Sequence, residues 1–231
     1  MPWIGYPAPV VKYIKRFGTD GIYAQFVETA LHVGTHIDAP MHYILGGKDV
    51  ASIPLDRLYG PGVVVDISDV VGEWDIIKPE HVTSKIEVKK GDILVYHTGF
   101  HHLYTKDEEG YLCRHPGPSK EFAEWALRMD LRWIGVDCGS ADHPMNTYAI
   151  PKLKPDLVKE YEKRMGKSLE EIFPRSEVHP MHKLFRHDLI HAENVGGDID
   201  EVLNKRVMIG AFPWRFVGGE ASISRIVAFV D

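Results

Sequence analysis

Between His32 and His42 the chain gathers four side chains able to bind a metal ion, in the run His32-Val33-Gly34-Thr35-His36-Ile37-Asp38-Ala39-Pro40-Met41-His42. Three are imidazoles and one is a carboxylate. All four fall at even positions, so an extended backbone sets them on one face. Full extension is too long for a shared ion: at ~3.3 Å per residue, His32 and His36 would stand about 13 Å apart. The segment must therefore bend, and Gly34 and Pro40 are the residues that permit it. A helix is disfavoured by the β-branched Val33, Thr35 and Ile37, by Gly34, and by Pro40, which would end the run. A helical metalloprotease pair also carries Glu directly after its first His, where this chain has Val33. The segment reads as a strand end entering a turn and forming a metal site. Thirteen histidines in the chain keep a merely polar, histidine-rich loop open as the alternative.

The 231 residues suit one α/β domain and can bury a core without staples. A net charge of −6 argues against a nucleic-acid binder, which would present a basic face. No apolar run reaches the length of a membrane span, and Met1-Pro2-Trp3-Ile4-Gly5 lacks the blocks of a signal peptide. Cys113 and Cys138 are too few for a disulfide framework, so a reducing, cytoplasmic setting is expected.

Residues 22–31 read as a strand leading into the histidine segment. Val63–Ile67, Ile93–His97 and Trp133–Asp137 are short, apolar, β-branched runs typical of buried strands. A short helix with Pro79 near its start is expected over 78–84. A longer one is expected over 119–129, capped by Ser119 and striped by Phe122, Trp125, Ala126 and Met129. A further helix is expected over 179–188. Strands over 207–212 and 224–230, joined at Gly218-Gly219, finish the chain. Strands separated by helical segments predict an α/β fold with parallel and mixed strands in a single domain, 1–231. Residues 144–178, rich in charge and carrying Pro151, Pro155 and Pro174, read as an insertion, a lid or an oligomer arm.

Imidazoles and a carboxylate suit zinc and also manganese or iron, and the absence of thiolates leaves the choice among these divalent metals open. Such an ion lowers the pKa of its water toward ~7 in the case of zinc. Three protein ligands and an open position make the catalytic pattern. The four side chains then divide: His32, His36 and Asp38 bind metal, and His42, just past Pro40, stays free to move a proton to a departing nitrogen.

The run H-x-G-T-H-x-D-x-P-x-H resembles, in all seven fixed positions, the signature of the cyclase-like metal-dependent hydrolases, which include bacterial kynurenine formamidases (arylformamidases) and isatin hydrolases. Gly46-Gly47-Lys48 through Ile53-Pro54-Leu55, Gly62–Asp66, Thr98-Gly99, Gly135–Asp142 and Pro213–Arg225 are similar to later segments of that family. The resemblance implies a swivelling β/β/α fold, His32, His36 and Asp38 as ligands, and His42 as the catalytic acid/base. In two-metal members the Asp bridges, and a later His and Glu complete the second site. The matching residues are His182 and Glu193, with His179 as the competing ligand; one or two ions are implied. The resemblance also implies a homodimer or homotetramer in which the N-terminal segment with Trp3, Tyr6 and Phe17 borders the pocket.

Ser140, Asp142, His143 and Asn146 lie in a loop after a predicted parallel strand, where ligands bind, and are candidates for substrate contact. His97, His101 and His102 read as a pocket wall with a surface histidine pair. The expected activity is hydrolysis of a carbon–nitrogen bond in an amide or cyclic amide of a small molecule, with neither nucleic acid nor membrane as partner. Ester or lactone cleavage at the same metal, and a non-catalytic small-molecule-binding relative, are the competing readings. A nucleotide-dependent oxidoreductase would want a G-x-G-x-x-G turn after a strand, which the chain does not show.

Overall fold

Seven strands close on themselves into a barrel in which three strand pairs are parallel and four are antiparallel. The computed structural model describes residues 1–230. The strands of the chain are β1 (Val10–Lys15), β2 (Ala24–Glu28), β3 (His36–Asp38), β4 (Tyr59–Asp66), β5 (Ile76–Ile77), β6 (Ile93–His97), β7 (Gly117–Pro118), β8 (Trp133–Val136), β9 (Ile190–Glu193), β10 (Lys205–Pro213) and β11 (Ala221–Phe229). The barrel order is β10-β11-β3-β9-β8-β6-β4, with β4, β6, β8 and β9 parallel to one another and the remaining pairs antiparallel. The expected mixture of parallel and antiparallel strands is present. Its closure into a barrel was not anticipated, because β10 must meet both its hairpin partner β11 and the distant β4.

Strand alternation sorts the core into two layers. Ile37, Val64, Ile93, Val95, Trp133, Ala192, Ile209 and Ala211 fill the barrel interior. Their neighbours Val63, Val65, Leu94, Tyr96, Ile134 and Val136 point outward and pack under the helix Lys120–Arg128 through Phe122, Ala123 and Ala126. That helix starts as its sequence dictates: the Ser119 side chain accepts from the Phe122 N–H at 3.1 Å, a cap worth about 1 kcal/mol.

Three expectations change. The strand over 22–31 exists as β2 but does not feed the barrel. It pairs only with β1 in an arm that leaves Val11, Ile14, Phe17, Tyr23 and Val27 exposed. The helix expected over 179–188 is a 3-10 segment, His182–His187, entered through Pro180 and ended by Asp188 in the left-handed region at φ 57°. The 144–178 stretch packs onto the body rather than standing clear of it. Leu157, Tyr161 and Phe173 are buried with Trp74 and Tyr111, and Arg114 grips Glu160 through two N–H···O bonds of 2.7 and 2.8 Å.

Candidate metal centre

The bend that the motif requires occurs at Gly34, whose φ of +58° is costly for any residue with a Cβ. It brings His32 back toward β3, and a 3-10 turn at Pro40–His42 carries His42 over the same spot. Gly47 secures the turn from outside, where a Cβ would meet the Pro40 carbonyl carbon at 2.6 Å.

Strand register does the rest. On the antiparallel pair of β3 and β9, His36 faces Glu193 and Asp38 faces His191. Directly opposed residues share one side of a sheet, and here it is the outer side, since Ile37 and Ala192 point into the barrel. His32, His36, Asp38, His182, His191 and Glu193 are all buried.

Their atoms form two adjoining pockets around Asp38. In the first, His32 Nδ1, His36 Nε2 and Asp38 Oδ1 stand 3.0, 3.1 and 3.3 Å from one another. A tetrahedral ion with bonds of ~2.0–2.1 Å has ligand edges of about 3.3 Å. His36 Nδ1 donates to the Gly34 carbonyl at 2.8 Å, so its Nε2 presents a lone pair. Asp38 Oδ1 makes no hydrogen bond among the described residues although it is fully buried. Two imidazoles and a carboxylate buried this close together need positive charge among them, carried by a proton on His32 or by a cation in its place. In the second pocket, Asp38 Oδ2 lies 3.0 Å from His191 Nε2 and 4.0 Å from His182 Nε2, and Glu193 Oε1 lies 3.5 Å from His191 Nε2. These four side chains offer ligand atoms within 4.8 Å of one another. Glu193 turns its other oxygen toward His36 at 3.5 Å, so both carboxylates straddle the two pockets.

Electrostatics follow this geometry. Burial works against a charge on His32, but Asp38 and Glu220 outweigh it and raise its pKa to about 11. Burial likewise opposes the Asp38 charge, yet His32 and His36 hold that carboxyl well below its usual range. The cluster thus seeks positive charge between its carboxylates.

His42 adjoins the first pocket, with a ring nitrogen within 4.8 Å of ligand atoms of His32 and Asp38, and is the most open of the motif's histidines. Its Nδ1 is 2.7 Å from Glu220 Oε2, which also reaches His32 Nε2 at 2.7 Å. Burial raises the Glu220 pKa, but these two hydrogen bonds prevail and bring it down to about 2. The His42 side chain keeps 22% of its surface open to solvent, against 2% for His32.

The other candidates take different places. Asp142 is buried and accepts from His182 Nδ1 at 2.5 Å, from His179 Nδ1 at 3.0 Å and from the Met181 N–H at 2.8 Å. It reaches the cluster through His182. His179, with Nδ1 given to Asp142, accepts from the Tyr148 N–H at Nε2, which leaves His182 as the histidine turned toward Asp38. Ser140 Oγ accepts from the Asp142 N–H. His143 is buried with Nε2 against the Trp74 carbonyl and Nδ1 accepting from the Met145 N–H, so no ring nitrogen remains for a substrate. Burial pushes its pKa down to about 3. Asn146 is buried; its side chain reaches the Glu177 carbonyl and its own carbonyl accepts from the His179 N–H. Trp3 and Tyr6 border the motif within the same chain: the Trp3 N–H donates to the His32 carbonyl and the Tyr6 ring lies 5.8 Å from the His32 ring. Phe17 sits on the exposed arm.

Two residues were missed, His191 and Glu220. The alternation His191-Ala192-Glu193, two polar ligands around a small residue on a strand, was the available signal for the first.

The family model described as putative cyclase matches residues 3–143, more than half of the chain. A kynurenine formamidase of Erythrobacter litoralis is 27% identical over 196 residues, covering 85% of this chain and 72% of that protein. One of Bordetella avium is 31% identical over 114 residues, so that match spans 48% of this chain and only about half, 49%, of the relative. Isatin hydrolase A from Ralstonia solanacearum superposes over 100% of this chain and 87% of its own with a TM-score of 0.77 at 19% identity, a likeness of fold. The chain belongs to the putative cyclase family.

Proposed function

We propose that this protein is a metal-dependent hydrolase that cleaves a carbon–nitrogen bond of a small amide or cyclic amide, in the manner its kynurenine formamidase and isatin hydrolase relatives are named for. The observation that carries the reading is the pair of pockets around Asp38, with His42 at their more open edge and held there by Glu220. His32, His36 and Asp38 would hold one divalent ion, and Asp38, His182, His191 and Glu193 a second, with Asp38 as the bridge. The imidazole-rich donor set suits zinc first and manganese second. Bound there, a divalent ion supplies a more acidic water and positive charge for the oxygen of a carbonyl under attack.

The chain's own residues do the rest. His42 gives a proton to the departing nitrogen: Glu220 holds its Nδ1, which leaves Nε2 for the transfer. The same carboxylate steadies the ring when it is charged and fixes its orientation. Asp142 fixes the tautomer of His182 by accepting from Nδ1, turning Nε2 toward Asp38. The buried ligands keep bulk water from the cluster, and the half-open His42 and Glu220 mark the side from which a substrate approaches.

The exposed arm of β1 and β2, with Val11, Ile14, Phe17 and Tyr23 uncovered, supports a dimer or tetramer in which a second copy covers it. No helix is long and apolar enough to cross a membrane among the described residues; a cytoplasmic site of action remains part of this reading.

The test is a hydrolysis screen of N-formyl arylamines, cyclic imides and lactones with the wild type and His42→Ala. Turnover of a formamide or cyclic amide that collapses in the variant supports the reading. Turnover confined to lactones replaces its substrate class, and equal turnover in both proteins removes His42 from the mechanism.

A further inference from the structure

Four ligand-type side chains also converge at the opposite face of the same barrel wall. His97 ends β6, and Gly99 at φ +83° turns the chain into the 3-10 segment Phe100–Leu103, which stacks His101 and His102 with ring centroids 3.9 Å apart. Asp200, in the 3-10 turn Ile199–Val202, closes over them. His97 shares its side of β6 with Val95 and Ile93, which point into the barrel. Glu193 and His36 point the other way, so this cluster lies at the barrel mouth and shares no residue with the Asp38 centre.

Each deep imidazole is held from behind by a carboxylate. His97 Nδ1 donates to Asp66 Oδ1 at 2.9 Å, and His101 Nδ1 donates to Asp137 Oδ2 at 3.2 Å. Those carboxylates are themselves fixed: Ser68 donates to Asp66 through its N–H and hydroxyl, and Thr98 and Gly99 donate to Asp137. The Nε2 atoms are thereby left with lone pairs aimed forward. His97 Nε2 is buried, on a residue only 3% exposed, and has no hydrogen-bond partner among the described residues. It lies 3.4 Å from Asp200 Oδ1, while His101 and His102 Nε2 lie 3.4 and 3.7 Å from Asp200 Oδ2. All four ligand atoms fall within 4.8 Å of one another.

We propose that His97, His101, His102 and Asp200 form a second, structural metal site that takes a zinc-class divalent ion and clamps the loop after β6 to the turn at Ile199–Val202. Three imidazoles and one carboxylate select zinc over calcium, magnesium or manganese. Four protein ligands close the coordination sphere, as structural sites do. A carboxylate behind a ligating imidazole is the recurrent support of such sites, and here there are two. The half-exposed His102 and Asp200 rotate inward to tighten the shell, and they give the ion its route from solvent.

The test counts zinc in untagged protein stripped with a chelator, saturated with zinc and passed through gel filtration, for the wild type and for His102→Ala/Asp200→Asn. Both side chains are exposed, so the variant should fold; His102→Ala alone, compared in the same way, stands in if it does not. The expected result is one equivalent of zinc fewer in the variant, with loss of the part of the zinc-induced rise in thermal midpoint that the wild type shows beyond it. His36→Ala, which strikes the Asp38 centre, keeps the mouth equivalent. Equal stoichiometry in wild type and variant, or a mouth equivalent that the wild type loses on gel filtration, overturns the proposal. Neither outcome depends on whether the protein hydrolyses an amide.

Discussion

The two histidine clusters sit on opposite faces of one barrel wall, and they differ in where their carboxylates stand. At the outer face Asp38 and Glu193 lie among the imidazoles, each turning two oxygens to two pockets, and His42 waits beside them held by Glu220. At the mouth Asp66 and Asp137 accept from Nδ1 of His97 and His101, and Asp200 lies nearest the forward nitrogens of all three imidazoles. Carboxylates among the ligands let ions share a bridge and leave positions open, and a spare imidazole moves a proton. Carboxylates behind the ligands stiffen a closed shell. The same residue types thus suit chemistry in one place and anchorage in the other.

Substitutions that strike one cluster and spare the other sharpen this contrast. The largest effect is expected from Asp38→Ala, which removes the shared ligand of both outer pockets. Hydrolysis should fall at least about 10³-fold, since bound divalent ions stabilise transition-state charge by several kcal/mol, and metal analysis should show the loss. His42→Ala should lower kcat by about 10²–10⁴, the range of general acid–base catalysis, with metal content unchanged; joint loss of metal would make His42 a ligand. Asp142→Asn should weaken metal binding by about 10–100-fold through a misoriented His182, measured by competition with a chromophoric chelator. His102→Ala should leave kcat within about twofold while altering zinc content. A mouth variant that silences hydrolysis with the outer metal intact would break the division of roles.

How far the sequence could be read depended on the range of the interaction. The motif could be read because its bend and its ligands lie within eleven residues, and Gly34 and Pro40 marked the turn before any contact was known. The buried strands β4, β6 and β8 and the Ser119-capped helix were equally local. His191 was not, because it becomes a neighbour of Asp38 only through the register of β3 on β9. Glu220 was further out of reach, since it arrives from the start of β11 only when β11 pairs with β3 in the closed barrel. Asp142 and His143 show what local sequence leaves out. Their position after a parallel strand suggested contact with a ligand, but the loop folds inward, and its side chains brace His182 and the Trp74 layer instead. Residues 22–31 read as a strand, but β2 has only β1 to pair with, and the arm leaves its apolar side chains exposed.

The central claim is that the Asp38 centre holds the ion on which hydrolysis depends. Its most direct test removes metal exhaustively with a chelator, verifies the removal by elemental analysis, and assays an N-formyl arylamine and a cyclic imide before and after zinc or manganese is restored. The account predicts that activity vanishes with the metal, returns with it in the wild type, and does not return in Asp38→Ala. Hydrolysis that persists at full rate in metal-free protein would contradict it.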